Sequence, residues 1–256
     1  MKLLRIELLK LIPYRIFWII IGIFAALMFF IVYAGSKFVV NGQQVGPQLY
    51  DFPDIWAKLA YIASYFNLLL GILIIILVSD EYSFRTMRQQ VIDGLSRAEL
   101  VQQKFYVVLL IGFASAVFVM LLGLGFGFVF SKNTATDAVT AQLPALGYYL
   151  VQALGYLSLA MLFSFLIRKS GLAIIAYLVY TKIVEPIIHY RLSDEVDQYF
   201  PMKVLSSLTP MPGKEVVEML TGPSQALPPS EAVLPAVIYI GMFFLLSYLL
   251  VKFRDL

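Results

Sequence analysis

The sequence contains no cysteine and only one histidine, His189. The first absence excludes a disulfide framework, a thiolate metal site and a cysteine nucleophile. The second leaves no imidazole pair from which to build a zinc site. Charge is scarce as well, since Asp, Glu, Lys and Arg make up 14% of the 256 residues, against about 25% in soluble globular proteins. The net charge of +3 is too small to argue for nucleic acid as a partner. Nucleotide and catalytic signatures are missing too. The nearest approach to a P-loop, Gly213-Lys214-Glu215, lacks the first glycine and the hydroxyl such a loop needs. HExxH and GxSxG do not occur.

What is present is apolar surface. Apolar residues reach 61% and the mean hydropathy is +0.85, more than a soluble fold of this length could hide, so lipid must be the solvent for most of the chain. A spanning helix needs about 20 apolar residues. Six segments qualify: 16–34, 59–79, 105–130, 146–167, 171–188 and 233–251. Open strands cannot span lipid, so the expected fold is all-α, one polytopic transmembrane domain over residues 1–256 with six transmembrane helices. The first span is longer than a signal-peptide core and no clean A-x-A site follows it, which predicts a retained helix.

Twelve Lys and Arg fall in the N-terminal segment, the 80–104 loop, the 168–169 link and the C-terminal end. Six fall on the opposite side, and Lys182 lies within a span. This excess predicts that both termini are cytoplasmic. Residues 2–12, KLLRIELLKLI, mix basic and apolar residues at helical spacing before Pro13, which predicts an amphipathic helix (1–15) on the cytoplasmic membrane surface. Apolar residues flanking Asn41-Gly42 predict a small hairpin in the first outer loop. The outer segment 189–232 is long and proline-rich but keeps the apolar stretches 202–208 and 216–220, so short re-entrant helices that dip into the outer interface are expected before the last span.

Segment 80–104, DEYSFRTMRQQVIDGLSRAELVQQK, is the most informative. Met87, Val91, Leu95 and Ala98 recur at helical spacing and leave Arg88, Gln89 and Gln90 exposed. Asp93-Gly94 signals a turn. Ser96 and Glu99 then match a capping box, so a second helix runs on into the third span. A short helix, a turn and a capped helix predict a rigid cytoplasmic docking elbow.

Two other features bear on function. Lys182, Glu185 and His189 stand at i, i+3 and i+7, on one helical face, with Lys182 about 16 Å into the span. They read either as a polar wall of a translocation path, loosened by Pro186, or as an internal Lys182–Glu185 pair. Gly123 and Gly127 read as a GxxxG packing face. With the fifth span, this face is a candidate seam between identical copies.

The six spans, the surface helix and the sequence from Glu81 to Lys104 resemble the membrane permeases of type-2 ABC exporters. Glu81, Thr86, Gly94, Ser96, Arg97 and Lys104 match that family's pattern, and YLSLAMLFSFLIRKSG (156–171) is similar to its fourth span. Arg85 stands where the family often has glycine, which predicts a tighter or more helical turn before Thr86. The resemblance implies an inner (plasma) membrane subunit, not itself an enzyme. It implies two cytoplasmic ABC ATPase subunits as partners, a second permease, identical or homologous, and a surround of membrane lipid. This chain would bind no cofactor, ATP and Mg residing on the ATPase. Segment 81–97 would be the coupling helix, touching the ATPase through Glu81, Arg85, Thr86, Arg88, Gln89, Asp93, Gly94 and Arg97, with Met87 and Val91 filling its groove. Access would alternate between the two sides. Two other readings stay open: a secondary transporter or channel using the Lys182 face, and a membrane anchor that transports nothing.

Overall fold

The computed structural model describes residues 2–40, 43, 44, 46–189, 194–214, 219 and 226–254. Helix α1 (Lys2–Leu11) is followed by α2 (Arg15–Ser36). At the break, Trp18 Nε1–H donates to the Ile12 carbonyl at 2.8 Å, satisfying a backbone group that the helix end leaves open. Strands β1 (Val39–Val40) and β2 (Gln43–Gln44) pair antiparallel, Val39 opposite Gln44 and Val40 opposite Gln43. The expected turn residues Asn41 and Gly42 lie outside the described residues.

A 3-10 turn (Gly46–Tyr50) leads into α3 (Ile55–Ser64) and α4 (Asn67–Ser83). These two helices bend by 45° at their junction, whereas the sequence predicts one continuous span over 59–79. No proline or glycine lies at the break. The amides of Tyr65 and Phe66 bond three residues back, and Ser64 Oγ donates to the Tyr61 carbonyl at 2.6 Å. Such side-chain back-bonding and tightened turns bend a helix.

Helix α5 (Thr86–Ile92) precedes α6 (Arg97–Phe130), and α7 (Thr136–Thr140) precedes α8 (Pro144–Ile167). At 34 residues, α6 is roughly 50 Å long, well beyond the ~30 Å of hydrocarbon, so one end of it must stand clear of the lipid. Helix α9 (Ser170–Val179), a π segment (Tyr180–Val184) and α10 (Glu185–His189) run on as one length. Short helices α11 (Asp194–Asp197) and α12 (Pro201–Ser207) come before α13 (Pro229–Phe253). The apolar stretch 216–220 lies almost wholly outside the described residues.

Among the described residues, five helical lengths are apolar and long enough to cross a membrane, and the bent α3–α4 pair makes a sixth if it counts as one span. The chain is an all-α, multi-pass membrane protein. Helix α8 is the hub, packed against α3, α4, α6 and α13. Over half of its apolar window is buried, against 22% for α2 and 17% for α13, so the peripheral helices keep broad apolar faces for lipid.

Small residues set the closest approaches. A Cβ on Gly127 would lie 2.3 Å from the Phe52 ring and one on Gly123 2.5 Å from the Trp56 ring, while Gly125 faces open space. The GxxxG face is therefore filled from within the chain by aromatics that fit only against a bare backbone, and it offers no seam to a second copy. Replacing Gly127 with leucine should cost about 1–3 kcal/mol through overpacking. Thermal unfolding in detergent should show the loss for Gly127→Leu and none for Gly125→Leu.

Candidate functional site

Four charged side chains from three helices close a ring at one end of the bundle. Lys104 of α6 donates to Glu7 Oε2 of α1 at 2.8 Å and to Glu81 Oε1 of α4 at 2.6 Å. Lys10 of α1 donates to the same Glu81 oxygen at 2.9 Å and to Glu7 Oε1 at 3.0 Å. Glu7 and Lys104 are each 3% exposed, so neither charge would be tolerable alone. Burial works against the Lys10 ammonium, but the Glu81 and Glu7 carboxylates outweigh it and hold its pKa above the ordinary lysine value. That stabilisation is fully present below the ordinary value and fades only as the pH rises through the raised one, so the ring is intact near neutrality. The ring borders a cavity of about 350 Å³ walled by Leu11, Ile74, Leu77 and Val107, where charges are screened less than in water. Beside it the Tyr14 hydroxyl donates to Asp80.

Glu81 and Lys104 bracket the elbow segment, so their ion pair closes its base. Glu7 and Lys10 were not legible as site residues, although a signal existed. Glu7 is the one acid in the Leu4-Leu8-Leu11 stripe of α1, and an acid on an apolar helical face implies a buried partner.

Above this base the chain turns through Arg85, which adopts φ 57° and ψ 18°. The left-handed region favours glycine, so Arg85 keeps a glycine-like turn and does not make the more helical one that its side chain predicts. Thr86 Oγ1 returns a bond to the Glu81 carbonyl at 3.2 Å. Helix α5 comes next, bridged by Gln89 Nε2 to Asp93 Oδ1 at 3.0 Å. Gly94, at φ 103°, reverses the chain. Ser96 then caps α6: its hydroxyl accepts from the Glu99 amide at 3.2 Å, and Glu99 Oε2 accepts from the Ser96 amide at 2.8 Å.

Two expectations for the elbow change. Met87 is 1% exposed; it packs down into the chain's own core and cannot fill a partner's groove. The exposed apolar residues are Phe84 and Ile92, at 73% and 69%, beside exposed Arg85, Arg88 and Gln89. Arg97 is also committed within the chain. Its guanidinium donates to the carbonyls of Val251, Lys252 and Arg254 at 3.1, 2.6 and 3.2 Å, satisfying the orphan carbonyls and negative dipole end of α13. Arg254 in turn donates to the Leu166 carbonyl at the end of α8 at 2.8 Å.

The Lys182, Glu185 and His189 face does not form. Pro186 has no N–H for the Lys182 carbonyl and its ring crowds that carbonyl, and the turn before it widens into the π segment. The extra residue rotates Lys182 by about 100° relative to the helix beyond Pro186. No ion pair joins Lys182 to Glu185. Glu185 Oε1 instead accepts from the Met202 amide at 2.5 Å, at the start of α12, and lies 3.5 Å from His189 Nε2. His189 and Lys203 both contact Asp197. Burial disfavours the Asp197 carboxylate, but Lys203 and His189 outweigh it and lower its pKa. Glu185 and His189 thus anchor α11 and α12. Among the described residues no group of three His, Asp or Glu is placed to hold a metal ion.

A family model described as ABC-2 family transporter protein matches residues 3–184, which takes in the ion ring, the whole elbow and Lys182. The chain belongs to this ABC-2 transporter family. It is accordingly a transmembrane subunit of an ABC transporter, of a kind that works with an ABC ATPase subunit. No curated protein matches the chain significantly. In this ABC-2 permease Glu185, His189, α11, α12 and α13 lie beyond the matched residues, so their roles rest on geometry alone.

Breaking the ring from one side leaves buried charge unpaired, a loss of about 3–5 kcal/mol. Lys104→Met should therefore lower the melting temperature sharply in detergent. Adding Glu7→Leu should recover part of that loss, the two substitutions being non-additive.

Proposed function

We propose that this chain is the membrane half of an ATP-driven exporter, passing force from a separate ATPase to a substrate path through the bundle. The observation that carries this reading is the elbow. Phe84, Arg85, Arg88, Gln89 and Ile92 are exposed together on and beside α5, and none of the described residues covers them. Apolar anchors flanked by arginines suit a groove rimmed with carboxylates. Support from below comes from the ion ring under α4 and α6, and support from behind from the Ser96 capping box. A push on α5 is therefore passed to α4 and α6, and through Arg97 to the end of α13.

In this reading the elbow end and both termini are cytoplasmic, and the bundle sits in the plasma membrane. Two ATPase subunits, carrying ATP and Mg, drive a pair of permeases through alternating access. Helix α1 lies along the cytoplasmic membrane surface, with exposed Ile6, Leu9 and Ile12 turned to lipid. A gradient-driven path along the fifth span is less favoured, since Glu185 and His189 are occupied in holding the short helices.

The test uses the tagged chain drawn from its native membranes in mild detergent, where a P-loop ATPase should co-purify stoichiometrically. Arg88→Glu with Ile92→Asp should cut that recovery and permease-stimulated ATP turnover by at least about tenfold, with membrane expression unchanged. Arg97 is left intact because its loss would also uncap α13. A chain that emerges without an ATPase, or a variant with normal recovery and stimulation, would overturn the reading.

A further inference from the structure

The rotation that separates Lys182 from Glu185 carries it into a cleft between the α3–α4 bend, α8 and α12. This cleft, about 160 Å³, is lined by Tyr61, Ser64, Gln152, Tyr156, Lys182 and Ser206, among others. Among the described residues no carboxylate lines it, and Lys182 has no ion-pair or hydrogen-bond partner. Gln152 of α8 lines the same cleft. It is 2% exposed, and its Oε1 accepts from both Asn67 Nδ2 at 3.3 Å and Thr209 Oγ1 at 3.0 Å. Its two amide N–H donors are left without a partner among the described residues. A lysine at this depth in a spanning helix normally faces a counter-charge or a cavity.

We infer that this cleft binds the anionic headgroup, a phosphate or carboxylate, of a single-chain or lipid-like amphiphile. Lys182 supplies the charge, and the Gln152 amide and the Tyr156 hydroxyl supply oriented donors. At about 160 Å³ the cleft has room for a phosphate or carboxylate headgroup. The chains leave past Ile183 and Ile187, which are exposed on the neighbouring surface of the same helix. As a substrate site this deepens the exporter reading and rests on it. Binding is measured on the permease alone, so either idea can fail without the other.

The probe is radiolabelled dodecyl phosphate, bound to the full chain in phosphatidylcholine nanodiscs and corrected for empty discs. Binding should saturate at one site per chain, be displaced by laurate and not by dodecanol, and weaken at least about tenfold in Lys182→Met. Lys182→Arg should bind within about threefold of the parent. Displacement by dodecanol as effective as that by laurate would overturn the inference, a comparison that needs no variant. Unchanged binding by a Lys182→Met chain that melts like the parent would also overturn it. Native mass spectrometry of the chain as extracted separates the two sources. A stoichiometric anionic phospholipid that dodecyl phosphate displaces makes the ligand a membrane lipid. An empty site that binds the probe makes it a transported amphiphile.

Discussion

The structure depends first on the ring of Glu7, Lys10, Glu81 and Lys104. Two acids and two bases alternate around it, each touching both of its neighbours, so the set is neutral although its members are mostly buried. Such a ring contributes little net stability over apolar packing, because desolvation offsets the attraction. What it imposes is exclusivity, since neither α4 nor α6 can leave without stranding a charge and α1 cannot leave without breaking two of the four ion pairs. Helices α1, α4 and α6 are thereby fixed to one another at the point where the chain departs for the elbow, and the capping box fixes the return.

The opposite end is held by different chemistry. There the Gln152 amide joins Asn67 at the α3–α4 bend to Thr209 just after α12, while Glu185 accepts from the first turn of α12. Leu205 of α12 rests on the bare backbone of Gly155, where a Cβ would come within 2.3 Å. The short helix is seated between spans by neutral amides, the Glu185 and Asp197 carboxylates with their His189 and Lys203 partners, and a glycine notch.

Much of this architecture was legible because lipid imposes simple rules. The apolar runs located the helices to within a few residues, and Gly94, Ser96 and Glu99 spelled out the turn and cap. The misreadings came where a local pattern met a tertiary partner. Met87 keeps helical spacing in either role, and only packing decides whether it points to the core or to a partner. Arg97 reads as a free docking charge until the carbonyls of α13, more than 150 positions away, arrive beside it. The spacing of Lys182, Glu185 and His189 assumes 3.6 residues per turn, and Pro186 breaks that assumption by widening the preceding turn. The α3–α4 bend turns on a serine back-bond with no proline or glycine to announce it.

The ion ring ties the base of the elbow to α1, which makes the two one rigid unit. Because the chain has no native cysteine, spin labels placed at exposed Arg5 on α1 and exposed Gln89 on α5 would report on that unit without background. Pulsed dipolar spectroscopy on this pair should give a single narrow distance distribution, and Lys104→Met should broaden it. A broad distribution in the parent chain, or one that Lys104→Met leaves narrow, would contradict the account.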